Sequence, residues 1–251
     1  MNYNQQRRNS SFLEGTDRKS GSALHINEGL RAYLMRVYQL MGLGLLVSAL
    51  TAFLGTTDAI RPLLFTQTPK GLTYTLLSWI IIFAPLILVF MFGSAVRNID
   101  PKKAKAIFWT FSALMGFSFS VLLLAFTAAS LFQTFIVAAG SFGALCLYGY
   151  STKRDLTGVG AFMSMGLWGI IIAMIVNWFM QSPAVSYAIS IIGVVVFVGL
   201  TAFDSQRIKQ LYNESDSNEL IETKAISGAL ELYLDFINLF LMLLRFMGDR
   251  K

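Results

Sequence analysis

One stretch near the end of the chain limits what it can fold into. Residues Gly228 to Arg245 read Gly-Ala-Leu-Glu-Leu-Tyr-Leu-Asp-Phe-Ile-Asn-Leu-Phe-Leu-Met-Leu-Leu-Arg, long and apolar enough to cross a bilayer. The same stretch carries Glu231, Asp235 and Asn238. On a helix these fall at i, i+4 and i+7, so one side is polar and the remainder apolar. A carboxylate at that depth costs about 2.5–3.5 kcal/mol even on the insertion scale that penalises it least. It must therefore face protein, water or an ion, which places this helix in the middle of a bundle with its polar side as the candidate site.

Other runs of spanning length surround it. Of the 251 residues, 55% are apolar and only 14% charged, a balance that excludes a soluble domain of this size. The sequence predicts an all-α polytopic membrane protein: a polar, mostly disordered tail over residues 1–30, then a seven-helix transmembrane domain over 31–251. The spans are expected at about 33–55, 74–96, 101–126, 131–150, 156–180, 183–204 and 228–245, with a loop over 56–72, a very short link around Ala128 to Ser130 and a polar segment over 205–224. Asp100-Pro101 and Ser182-Pro183 each read as a cap followed by proline at the first helical position. Pro85 is expected to kink the second span. Ser112, Gly116 and Ser120 recur every four residues as a stripe for close helix approach, and Gly140 with Ala144 reads as a second small face.

Chemistry is limited by what the chain lacks. Its single cysteine, Cys146, lies in an apolar run, and its single histidine, His25, lies in the tail. No disulfide framework, zinc site, histidine-based triad or membrane histidine for a rhomboid-type protease is available. No Gly-x-Gly-Asp motif of an intramembrane aspartyl protease occurs, and the last span has no lysine for retinal. The expectation is a protein that is not an enzyme and needs no cofactor. The net charge of +6 is explained by topology and anionic lipid, with no nucleic-acid partner. With the N-terminus on the cytoplasmic side, fifteen of the 20 lysines and arginines lie inside.

Two acids stand out. Asp204 is expected near the inner end of the sixth span, at the negative end of its helix dipole, with Arg207 close by. Asp235 lies about ten residues into the last span, roughly 15 Å deep at about 1.5 Å per residue. If they meet, two carboxyls a few ångströms apart share a proton and form a latch. Fully ionised, they repel each other and attract a hard cation such as Ca²⁺, with Glu231 and Asn238 as further oxygens. A purely structural polar contact stays open beside that reading, and the absence of a base at that depth argues against a simple ion pair. Of the other polar residues, Asp155 reads as the N-cap of the fifth span, Arg97 as a topology charge and Arg245 as a snorkelling cation.

Four stretches carry a resemblance. They are Arg36 to Met41, Tyr148 to Leu156, Phe203-Asp204-Ser205-Gln206-Arg207-Ile208, and Gly228 to Phe240. Together they resemble the Bax inhibitor-1 family, also called the transmembrane BAX inhibitor motif family, and are similar to its bacterial YccA-like branch. The resemblance covers about residue 30 to the end. It implies a seven-helix bundle with the last helix central and surrounded by the other six. It also implies a pH-sensitive calcium leak of the bacterial inner membrane, gated by an aspartate pair that matches Asp204 and Asp235. Gln206 enters as a supporting polar residue of the same motif. Arg97 enters as the basic residue that some members place at the inner end of the second helix. The ligands implied are calcium ions, protons and the lipid bilayer. The alternative is a non-transporting regulator that binds a membrane-bound protease or another membrane protein.

Overall fold

The computed structural model describes residues 28–68 and 71–251. Seven helices are long and apolar enough to span a membrane: α1 (Glu28–Leu54), α3 (Leu76–Arg97), α4 (Pro101–Ala125), α5 (Ala128–Ser151), α6 (Thr157–Met180), α7 (Pro183–Leu211) and α8 (Asn218–Met247). The expected disordered tail lies outside the described residues apart from 28–30, which belong to α1.

The last helix is the core of the bundle. In its most apolar stretch 61% of residues are buried, against 39% for α7 and 11% for α6. It packs on α1, α4, α5 and α7, with a smaller contact to α3, while α6 leans on α7 from outside. The ring around α8 is thus formed by five helices, with α6 in an outer layer. Residues that face outward are those a hydrocarbon solvent favours: Phe90 is 81% exposed and Phe179 80%.

Capping residues set most of the helix starts. Asp100 accepts a hydrogen bond from the Lys103 amide (3.0 Å) and Ser182 from the Val185 amide (3.4 Å), each ahead of a proline. Thr127 caps α5 in the same way, so the link from α4 is only Phe126-Thr127, and the expected linker residues Ala128 to Ser130 already form the first turn. Pro85 sits within α3 without interrupting it.

Two regions differ from the sequence expectation. The segment read as a loop over 56–72 contains the short helix α2 (Arg61–Leu64) and a hairpin of β1 (Phe65–Thr68) and β2 (Gly71–Tyr74), paired from Phe65–Tyr74 to Thr68–Gly71. Gly71 takes φ +112° at the turn, a conformation side chains rarely adopt. The polar segment 205–224 is mostly helix: α7 runs to Leu211 and α8 begins at Asn218. At about 1.5 Å per residue each of these helices is about 44 Å long, against a hydrocarbon core of about 30 Å, so their polar ends extend into water.

The small-residue stripe of α4 is packed on α1. Ser112 and Ser120 are fully buried, and a methyl group on Gly116 would lie 2.3 Å from the Ser48 carbonyl oxygen. The second expected stripe does not behave this way. Gly140 and Ala144 are exposed, and Gly140 has no atom within 4 Å of a built Cβ. The close approach on α5 is made instead by Gly149, whose added methyl would meet the Ala202 carbonyl of α7 at 2.3 Å.

The two glycines therefore differ in a measurable way. Gly116→Ala is expected to lower stability by about 1–3 kcal/mol through overpacking against backbone. Gly140→Ala should be neutral or slightly stabilising. Thermal unfolding of both variants in the same detergent checks this.

Candidate functional site

Helices α7 and α8 run antiparallel, and their facing residues gather three carboxyls and one guanidinium. The carboxyl groups of Asp204 and Asp235 come within hydrogen-bonding reach of each other. Arg207, one turn beyond Asp204, places Nη1 3.5 Å from Asp204 Oδ1 and donates from Nη2 to Glu231 Oε1 at 3.0 Å. Burial deepens along the cluster. The side chain of Arg207 is 45% exposed and that of Asp204 15%, while Asp235 as a residue is 6% exposed.

The sequence reading placed Asp204 near a helix end with Arg207 close by, and no base at the depth of the pair. In fact α7 continues for two turns beyond it, so the negative end of the dipole is some 10 Å away at about 1.5 Å per residue. The base is Arg207, on the same face at i+3, and it serves Glu231 as well as Asp204. Glu231 is thereby part of the cluster.

Asp235 is the member without an ordinary partner. Its Oδ2 is buried and receives no hydrogen bond from an N–H or hydroxyl among the described residues, and Glu231 Oε2 is in the same position. A buried carboxylate oxygen left unmatched is costly, and the Asp235 carboxyl has that of Asp204 beside it. Two carboxyls form a hydrogen bond only when a proton lies between them.

The remaining predicted residues serve the frame. Gln206 points the other way: its Oε1 accepts from the Leu156 amide (2.9 Å) and its Nε2 donates to the Arg154 carbonyl (2.8 Å), pinning the α5–α6 loop to α7. Asn238 donates to the Leu234 carbonyl of its own helix at 2.8 Å and adds nothing to the carboxyl pair through that nitrogen. Asp155 stands one residue ahead of the N-cap position, which is Leu156. Its carboxylate accepts from the Thr157 hydroxyl (2.6 Å) and amide (2.9 Å), bonds that hold it below the usual carboxylate range. Arg97 is exposed at the end of α3 and forms no salt bridge with a described residue. Among the described residues no group of three or more His, Cys, Asp or Glu side chains is arranged to hold a metal ion.

Sequence reasoning missed the neighbours that hold the pair in place. Tyr38 of α1 bonds Ser205 (3.2 Å), whose hydroxyl donates to the Cys146 carbonyl of α5 (3.0 Å). Deeper in, the fully buried Tyr233 shares a 2.7 Å hydrogen bond with Ser48, which also donates to the Ser112 carbonyl at 2.7 Å. At the water-facing end Glu222 joins α8 to Arg36 of α1 (3.0 Å) and Lys105 of α4 (3.1 Å). None of these has a local signature, because each partner lies at least 59 residues away in sequence.

A family model described as Inhibitor of apoptosis-promoting Bax1 matches residues 30–251. The chain belongs to the Bax inhibitor-1 family. It is an integral membrane protein, and its relatives match along nearly their whole length. A Rickettsia prowazekii protein is 44% identical, over 90% of this chain and 92% of its own. Inner membrane protein YbhL of Escherichia coli is 42% identical, over 93% of this chain and 98% of its own. A Caulobacter vibrioides protein is also 42% identical, over 91% and 92%.

Gln206 offers a direct test of the division between frame and site. Gln206→Ala would strand the buried Leu156 amide, at a cost of about 1–3 kcal/mol. Hydrogen exchange over residues 152–157 is expected to accelerate while α8 keeps its protection.

Proposed function

We propose that the protein is a proton-controlled cation leak of the bacterial inner membrane, gated where Asp204 and Asp235 meet. The observation that carries the reading is the buried Asp235 oxygen whose available partner is another carboxyl. With one proton shared, the two acids latch α7 to α8. Loss of that proton leaves two facing carboxylates, which repel and loosen the latch. The cluster then holds three carboxylates against one guanidinium, a net charge of −2 that suits a single divalent cation. Calcium, as cargo, favours such oxygen donors. Because those donors form no cage, the ion is attracted and released rather than stored.

Location and orientation follow from analogy and charge. YbhL is named for the inner membrane, and the excess of lysine and arginine at the α1 entry, the α3–α4 loop and the α5–α6 loop supports a cytoplasmic N-terminus. On that orientation the carboxyl cluster opens toward the cytoplasm through Arg207.

Calcium flux into proteoliposomes over about pH 6 to 8 tests the reading, because a shared proton makes flux rise with pH. Asp204→Asn and Asp235→Asn keep a hydrogen-bonding group but cannot ionise, so both should give low flux without pH dependence. Arg97→Gln should behave as wild type. Absence of flux in every folded variant would sink the leak and leave a role in binding another membrane protein.

A further inference from the structure

The opposite end of the bundle carries a second polar feature, of the opposite sign. The end of α6, the start of α7 and the end of α8 enclose a cavity of about 600 Å³, lined by Asn177, Gln181, Ser186, Ser190, Arg245 and Arg250 among others. It differs from the grooves along the α1–α5 seam, whose walls are apolar residues such as Leu45, Phe135 and Phe236.

Its charge is uncompensated. Two arginines reach the cavity, within electrostatic reach of one another, and no carboxylate lines it. No salt bridge among the described residues uses either of them. Among the described residues the Arg245 guanidinium hydrogen-bonds only to the weakly accepting Met174 sulfur, at 3.9 Å, and Arg250 lies 5.9 Å from the Phe126 ring centroid. Donors accompany the charges. The Ser186 hydroxyl makes no hydrogen bond to a described residue, and α7 begins here with Ser182 and Pro183, so its positive dipole end points the same way. Exposed Trp178 and Phe179 flank the site, as aromatic residues do at the depth of lipid headgroups.

We propose that this cavity binds a phosphate-class oxyanion, held by Arg245 and Arg250 with the Ser186 hydroxyl as a further donor. Planar guanidinium groups match phosphate oxygens pairwise, and two of them without a protein counter-ion leave that role to a ligand. The phosphate is either that of an anionic lipid headgroup or a free ion.

Two arms separate the sources. Inorganic phosphate is titrated into the full-length protein in phosphatidylcholine nanodiscs, read by the change in tryptophan fluorescence that Trp178→Phe abolishes. The same protein is then placed in nanodiscs with and without phosphatidylglycerol, and lipid retention is read by native mass spectrometry. A saturable response to inorganic phosphate, weakened at least about tenfold in Arg245→Gln/Arg250→Gln, assigns a free anion. Selective retention of phosphatidylglycerol, lost in the same variant, assigns the headgroup. Ser186→Leu, which fills the cavity from α7 and leaves both arginines in place, should reproduce either loss. An equal response in wild type and both variants, or none in either arm with all proteins monodisperse, overturns the proposal.

Discussion

In hydrocarbon a carboxyl group has nothing to bond to, and this requirement organises the bundle around α8. Glu231 and Asp235 lie one turn apart on one side of that helix, and Tyr233 lies between them in sequence, some 200° around the axis from each. Both sides therefore need protein partners. The carboxyl side finds α7, with Asp204 and Arg207, and the phenol side finds α1 and α4, with Ser48 and Ser112. A helix with polar groups on two opposite faces has no side to turn to lipid, and α8 is accordingly the most buried of the seven. Helix α6, which carries no charged residue, is under no such demand and takes the outer position.

Much of this was legible before any coordinates. Apolar runs revealed the spans, and Asp100-Pro101 and Ser182-Pro183 marked two helix starts, because bilayer thickness and cap chemistry are both written locally. The carboxyl pair was legible too, since an acid in an apolar run has few explanations. What hydropathy could not report is where a helix ends once it leaves the membrane. Residues Ser205 to Leu211 and Asn218 to Lys224 are polar and helical at once, so the polar run marks an apparent end of the sixth span at Asp204 where the helix in fact continues. Small residues misled for another reason. Gly116 and Gly140 sit in similar stripes, but only a partner helix turns such a stripe into a contact, and sequence does not say where the partner is.

The members of the site show the same limit. Asp204 and Arg207 are neighbours by helical spacing, so their pairing needed no fold. Their link to Glu231 depends on the register between α7 and α8. Gln206 lies beside them in sequence and carries the same family motif, yet its amide faces the α5–α6 loop. Adjacent positions on a helix point about 100° apart, so a contiguous motif necessarily serves more than one neighbour. Here Asp204 and Arg207 serve α8, while Ser205 and Gln206 fix α5 and its loop to α7.

That division limits how a gate at the carboxyl pair would work. On the α7–α8 interface, a methyl group on Gly193 would lie 2.6 Å from the Met242 sulfur, and one on Gly228 would lie 3.1 Å from Ile208. These two contacts flank the level of Asp204 and Asp235, leaving little free volume on either side. Close-packed interfaces of this kind shift between discrete arrangements more readily than they deform. Separation of the two carboxyls would then be taken up by displacement of α7 against α8, not by side-chain rotation alone. The bonds from Ser205 and Gln206 would carry α5 and the loop before α6 along with it, so the motif around Asp204 joins the titrating group to the element it would move.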